Sequence, residues 1–529
     1  MHMMFSRCFS ATTQGIEAYT VEIESHIENM SPSFVTVGLP DSAVRESKER
    51  VMAAMKNSGL QFDFSKRITI NLAPADIRKE GSAFDLPIAL GLLAAMGGVE
   101  SDVLKQFIIL GELALDGSVR PIHGALNIAI HARDMKKEMP NLRGMILPME
   151  NAREAALVQE LEVFGVATLR EAVGLINSTS IIARTEINVS ELFKQHSEDG
   201  LLDFADVKGQ ETVKRSLEVA AAGGHNVIMI GSPGSGKSML AKRFPSILPP
   251  LTFDEALETT KIHSVSGILP PDTPLVTTRP FRAPHHTISD AALVGGGMNN
   301  IRPGDISLAH HGVLFLDELP EFQRNVLEVL RQPLEDGKVT ISRVKMTVEY
   351  PANFMLLCAM NPCPCGNFGS TLHPCTCSEQ TRSRYMSKIS GPLLDRIDIH
   401  VEVPSVKIEE LSKKSSGEHS KPIRERVLKA GEIQNKRYKT YNDQNPKNKI
   451  YKNADLSSKL VQEYCEISAD GTNILKMAMT RMGHSARAYD RILKVSRTIA
   501  DLAGTANIEN AHLAEAIQYR SLDRQFWNA

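Results

Sequence analysis

The sequence has no apolar run of the ~18–20 residues that a membrane-spanning helix requires; its longest, Leu86 to Val99, falls short. No apolar leader core follows Arg7 either, because polar Ser10-Ala-Thr-Thr-Gln comes next, so a secretory signal is not expected. A surplus of one charge is also missing: 60 Lys and Arg face 62 Asp and Glu, a formal net charge of −2. That balance excludes a wholly basic, histone-like nucleic-acid binder and leaves room for a local basic groove. Cysteine is scarce and unevenly placed. Of seven, Cys363, Cys365, Cys375 and Cys377 cluster, while Cys8, Cys358 and Cys465 stand apart. This is not the spread framework of a disulfide-bonded secreted chain; it points to a reducing, cytoplasmic setting with one thiol site. The three scattered thiols read as small inert hydrophobes.

What remains is ordinary globular material, 42% apolar and 23% charged. At 529 residues the chain is too long for one core, since single cores stop growing near ~250–300 residues, and two to four domains are expected. Residues 1–180 alternate strand-like and helix-like patterns and read as an α/β or α+β unit. Tyr19-Thr-Val-Glu-Ile-Glu and Arg67-Ile-Thr-Ile-Asn-Leu have period two. Asp41 to Met55 looks helical with Asp41 as N-cap, Asp85 to Met96 is an apolar helix, and Phe107-Ile-Ile-Leu is a buried strand. Residues 181–205 are more polar and read as a linker. Residues 206–404 carry dense motifs with many glycines and prolines, and 405–529 are dominated by helical periodicity from Ala454 onward. Within that last part, 421–452 holds ten Lys or Arg against three Asp or Glu. This basic stretch fits DNA contact and equally fits a solvated helix face.

An apolar strand, Asn226-Val-Ile-Met-Ile-Gly, runs into Gly231-Ser232-Pro233-Gly234-Ser235-Gly236-Lys237-Ser238 and then Met239-Leu-Ala-Lys-Arg. This is the G-x-x-x-x-G-K-[ST] loop in its strand–loop–helix setting. Backbone N–H groups wrap phosphates there, aided by the helix dipole. Lys237 is expected on the β- and γ-phosphates and Ser238 on Mg²⁺. About eighty residues on, Gly312-Val-Leu-Phe-Leu-Asp-Glu318 is a strand ending in two carboxylates. Asp317 is expected to hold Mg²⁺ through water, and Glu318 to orient and deprotonate the attacking water, the function that separates hydrolysis from binding. A third strand, Phe354-Met-Leu-Leu-Cys-Ala-Met, ends at Asn361, an amide suited to sensing the γ-phosphate.

With these three strands placed, the chain resembles an AAA+ ATPase of the magnesium-chelatase-like ComM/YifB family. The likeness is carried by Phe281-Arg-Ala-Pro-His-His-Thr, Leu293-Val-Gly-Gly-Gly, Ser307-Leu-Ala-His-His-Gly, Asn361-Pro-Cys-Pro-Cys-Gly and Ser390-Gly-Pro-Leu-Leu-Asp-Arg-Ile-Asp. The resemblance implies an α/β multidomain chain forming a homo-hexameric ring, with ComM members acting as ATP-driven helicases that migrate DNA branches during natural transformation. It implies that Arg396 is the arginine finger reaching a neighbour's ATP, and that Arg487 is a second sensor on a helical lid. It makes Lys338-Val-Thr-Ile-Ser-Arg-Val-Lys-Met-Thr-Val-Glu349 a hairpin projecting into the ring channel, where Arg343 and Lys345 would meet DNA phosphates, single-stranded or branched. The segment Gly295-Gly-Gly297 is a second channel element or a flexible loop. A protein-remodelling ATPase of the magnesium-chelatase type is the alternative.

The pairs Cys363-Pro-Cys365 and Cys375-Thr-Cys377 offer four thiolates, enough for a closed, structural Zn²⁺ site, and His373 could replace one of them. The adjacent pairs His285-His286 and His310-His311 read as structural, because neighbouring histidines do not readily share one ion. Residues 1–180 resemble the ribosomal-S5-like fold of the Lon protease domain. Laid residue on residue, however, the Lon serine falls on Ala83 and its lysine on Leu126, with Ser82 one place off. A non-proteolytic reuse of that fold is expected, with a Lon-like protease the least favoured function.

Overall fold

The period-two run at Tyr19 folds as strand Glu17–Glu28, antiparallel to Met4–Gln14, and the inward residues Cys8, Val21, Ile23 and Ile27 of this pair are buried. In this computed structural model the described residues are 4–520 and 522, apart from 77, 78, 80, 197–201, 271, 272, 298–300, 344, 345, 370–372, 406–416, 447 and 483–485. The turn between these strands is Gly15-Ile16, with Gln14 opposite Glu17 and Gly15 at φ +62°. Glycine at the first central position of a two-residue turn gives the twist that antiparallel neighbours need. The sheet continues in the order Ser33–Val37, Arg67–Ala73, Glu17–Glu28, Met4–Gln14, Phe107–Ile109, Gly144–Pro148, Glu162–Val166. Helix Ser42–Asn57 starts where Asp41 accepts the Val44 N–H at 2.8 Å. With helix Asp85–Ala95 it covers one face, while helix Ala125–Met135 covers the other.

A second, parallel sheet runs Phe281–Arg282, Val313–Leu316, Met355–Met360, Val227–Ile230, Ile399–Glu402. Every residue of its three inner strands is buried. Such strands must be apolar throughout because side chains on both faces are covered. Val227 and Met229 point to one core, Ile228 and Ile230 to the other. The carboxyl ends of the inner strands therefore carry Gly231, Asp317 and Asn361 to one edge of the sheet, where ligands bind in open α/β folds.

Helices Ser420–Gln444, Ser458–Tyr464, Ala469–Met482, Ala486–Ala503 and Asn510–Gln518 form the C-terminal region. Val427, Tyr438 and Ile499 from these helices share a core with Val227 and Val401 of the parallel sheet. The molecule is thus a mixed α/β multidomain chain with a parallel sheet and a helical C-terminal region, consistent with an AAA+ fold.

Two stretches carry more structure than their composition suggests. Residues 181–205, read as a linker, include helix Val189–His196, and Leu192 buries itself against the N-terminal core. In the basic stretch, Arg426 is clasped by Glu218 and Glu418, and Arg437 by Asp501, its Nη1 lying 2.9 Å from Oδ2. Those two arginines hold the helices together, while Lys429, Lys436 and Lys439 stay exposed.

Candidate nucleotide site and cysteine cluster

Gly236, at φ +94°, is the residue from which helix Lys237–Arg243 starts, a backbone angle that a side chain would resist. The turn buries the Lys237 side chain beneath the loop. Its Nζ donates to the carbonyls of Gly231 at 2.7 Å and Ser232 at 2.9 Å, and lies 3.3 Å from Asn361 Oδ1. Burial pulls the Lys237 ammonium below its ordinary pKa, and Asp317 and Glu318 oppose that shift. Ser238 Oγ donates to Asp317 Oδ2 at 2.5 Å, and Asp317 Oδ1 accepts the Glu318 N–H at 2.9 Å. Glu318 sits at φ +52°, a left-handed conformation that non-glycine residues seldom adopt and that concentrates at functional sites. The cleft so formed, about 340 Å³, is lined by Gly234, Gly236, Lys237, Ser238, Asp317, Glu318 and Asn361 among others.

Two neighbours of this cleft were not legible in the sequence. His286 Nδ1 lies 3.3 Å from Glu318 Oε2, so the second histidine of the 285–286 pair faces the candidate catalytic carboxylate. Gln210 Nε2 donates to Ser235 O at 3.2 Å and to Pro404 O at 2.6 Å, tying the loop to the chain leaving the last strand.

Arg396 and Arg487 are not among the residues lining this cleft. Arg396 pairs with Glu335 and donates to Pro392 O at 2.7 Å, and Arg487 lies 3.7 Å from Asp395. The two arginines therefore share one face of the molecule. The hairpin folds as Lys338–Arg343 against Met346–Pro351; Arg343 is exposed at its end, and Lys345 lies outside the described residues. Gly295–Gly296 pairs with Arg302–Pro303, and a Cβ built on Gly296 would lie 3.6 Å from Arg343 Nη2. The insert and the hairpin thus meet at Gly296, opposite which stands the exposed Arg302.

The four clustered cysteines converge. Cys363 Sγ is 3.3 Å from Cys365 Sγ and 3.7 Å from Cys375 Sγ, and Cys365 to Cys375 is also 3.7 Å. Cys377 completes the set, with all four sulfurs within 4.8 Å of one another. A tetrahedron with Zn–S bonds of ~2.3 Å has edges of ~3.8 Å, so these separations fit one ion, whereas a disulfide needs ~2.05 Å. Backbone N–H groups of Asn367 and Thr376 pull the Cys365 thiol down to about 5, while burial pushes Cys363 up to about 12. The turn also touches the phosphate loop. A Cβ on Gly366, at φ +78°, would sit inside van der Waals contact of the Pro233 ring.

A second cluster, Glu258, His310 and His311, does not favour a metal. His310 Nδ1 accepts the Asn353 N–H at 3.0 Å, which fixes the proton on Nε2, the atom facing Glu258 at 3.3 Å. A nitrogen bearing its proton has no lone pair for an ion. In the N-terminal domain Ser82 Oγ donates to Glu112, and the Lys79 ammonium is directed at the Pro74 carbonyl.

With this geometry in place, the matches to known proteins agree over the whole chain. The magnesium chelatase subunit ChlI family matches residues 203–411, with companion matches to subunit ChlI over 23–151 and to its C-terminal region over 417–520. Competence protein ComM of Haemophilus influenzae is 43% identical over 525 residues, covering 99% of this chain and 98% of the relative. The chain belongs to the ComM/YifB magnesium-chelatase-like family. A second ComM/YifB relative, the uncharacterized protein YifB of Escherichia coli, is 40% identical over 524 residues, covering 99% of this chain and 98% of the relative. The magnesium-chelatase subunit ChlI of Euglena gracilis is more distant, 26% identical over 53% of this chain and 81% of its own length. ComM/YifB membership suggests an ATPase. No described helix is long and apolar enough to cross a membrane.

Proposed function

We propose that this protein is an ATP-hydrolysing DNA motor of the ComM type that unwinds or migrates branched DNA as a homo-hexamer. The observation that supports it most is the meeting of Lys237, Ser238, Asp317, Glu318 and Asn361 at the ends of three adjacent parallel strands. Backbone N–H groups of residues 231–236 would wrap the phosphates, with Lys237 turning from the loop carbonyls to the β- and γ-phosphates. Ser238 and Asp317 would hold Mg²⁺, which when bound neutralises phosphate charge. Glu318 accepts the proton of the attacking water, and Asn361 orients that water. Arg396, outside this cleft, would reach a neighbour's ATP as an arginine finger, and Arg487 would act as a second sensor on the helical lid. Cys363, Cys365, Cys375 and Cys377 would hold a structural zinc, and residues 1–180 would form a non-proteolytic S5/Lon-like domain. Arg343, Lys345 and the newly apparent Arg302 would contact DNA phosphates in the channel.

The test is ATP turnover with and without single-stranded, duplex and four-way-junction DNA at low and moderate salt. A DNA motor is stimulated by at least one of these, and the stimulation fades as salt rises because phosphate contacts release counterions. Turnover indifferent to all three would favour a protein remodeller of the magnesium-chelatase type, the reading that the ChlI family matches support.

A further inference from the structure

The turn between the first two strands of the N-terminal domain does not end in solvent. A Cβ built on Gly15 would fall inside van der Waals contact of Val348 Cγ1 and 3.8 Å from the Tyr350 ring, both on the returning strand of the candidate channel hairpin. Ile16 packs into the core containing Val348 and Tyr350, and its carbonyl accepts from buried Asn127 Nδ2 at 2.7 Å. Tyr350 is 1% exposed, and its hydroxyl donates to Ile301 O at 2.6 Å, beside the second channel segment. A second dock fixes the same domain: Gly124 N donates to Ser264 O at 3.3 Å, and Leu251, Ala256 and Leu275 of the ATPase half complete an N-terminal core.

From these contacts we infer that the Gly15-Ile16 turn is a positioning element for the hairpin Lys338–Pro351, so that the N-terminal domain sets where the hairpin stands and couples it to the ATPase core. The physical reason is close packing. A glycine turn is the part of a strand pair that can approach another backbone without a side chain between, and packed interiors transmit small displacements instead of absorbing them. Val348 and Tyr350 pair with Ile341 and Val339, so a push on the returning strand moves both strands of the hairpin.

The inference deepens the DNA-motor reading, and its test separates the two. Gly15→Ala places a methyl against Val348. Val348→Ala in the same chain removes the methyls it meets, which distinguishes a contact from strain within the turn. The first readout needs no DNA: hydrogen exchange of the hairpin amides in the full-length protein. Exchange should rise in Gly15→Ala and return towards wild type in the double variant. The second is DNA stimulation of ATP turnover, which should fall by about threefold or more in Gly15→Ala, within the coupling measured between touching residues, and recover in the double variant, with DNA-free turnover unchanged. Unaltered hairpin exchange in Gly15→Ala, or a double variant no better than the single, overturns the inference. A wild-type protein that no DNA stimulates overturns the motor reading and leaves the exchange result to decide this one.

Discussion

Glu318 and His310 show how far single side chains can be argued. Glu318 is half exposed at the cleft, held at a left-handed backbone angle beside His286, while Lys237 bonds to the Gly231 carbonyl and Ser238 to Asp317. Glu318→Gln keeps the shape and removes the base. Nucleotide affinity should therefore stay within about twofold of wild type, while turnover falls by 10²-fold or more, the usual contribution of a general base. Equilibrium binding of a fluorescent ATP analogue beside a phosphate-release assay checks both halves; retained turnover would remove Glu318 from its role. His310 makes a pH prediction. Burial lowers its pKa to about 4, with the Glu258 hydrogen bond opposing, so the unfolded chain takes up a proton near pH 6.5 and the folded one only near 4. Stability linked to His310 is thus full at pH 7 and lost as pH falls from about 6.5 to about 4, by up to about 3 kcal/mol. Glu258 is held below its ordinary value by His310 and His311, so its own stabilisation is lost at lower pH still. His310→Gln should lower the melting temperature at pH 7 and shrink the further drop seen at pH 5. An equal drop in both proteins would place the acid sensitivity elsewhere.

Elements, more than residues, decide what the sequence discloses. The three inner strands of the parallel sheet were legible because their apolar runs are uninterrupted and each ends in a chemically distinct residue, Gly231, Asp317 or Asn361. The helix after Asp41 was legible from its cap, and the hairpin Lys338–Pro351 from the family resemblance. Contacts joining elements far apart in sequence were not. His286 reaches Glu318, Gln210 braces the phosphate loop, and the Gly296–Arg302 pair meets the hairpin at Arg343 only because the fold brings these segments together. The internal pairing of Arg426 and Arg437 was hidden for the same reason: a charge count along the chain cannot see the Glu218 and Asp501 opposite. The cysteine turn combines both cases, its thiols plain in the sequence and its contact with Pro233 not. If that turn braces the phosphate loop, Gly366→Ala should weaken ATP-analogue binding several-fold while zinc content stays near one per chain. Cys375→Ser should lower the zinc content, read by elemental analysis under reductant. Zinc-free wild-type protein with undiminished nucleotide affinity would show the turn and the loop to be independent.

At the scale of the whole molecule, the decisive fact is that the candidate site is split. The cleft contains Glu318, Lys237, Ser238 and Asp317 but neither Arg396 nor Arg487, which stand together near Asp395 and Glu335. On the proposed reading, a single chain would bind ATP in the cleft and offer Arg396 to a neighbour, an arrangement completed only when copies contact head to tail. Such heterologous contacts close into rings or continue as filaments, and both give the same prediction for mixed subunits. Glu318→Gln lacks the base but keeps its arginines; Arg396→Ala lacks the finger but keeps its base. Each alone should be nearly inactive. Mixed in equal amounts and allowed to exchange, half the sites carry the intact base and half of those face an intact finger, so turnover should recover to about one quarter of wild type. If Arg396 acted within its own chain, no mixture could recover, because neither subunit has both groups. Repeating the mixture with Arg487→Ala in place of Arg396→Ala assigns the second arginine by the same logic. Recovery would place it on the neighbour's ATP, and none would place it on its own subunit's.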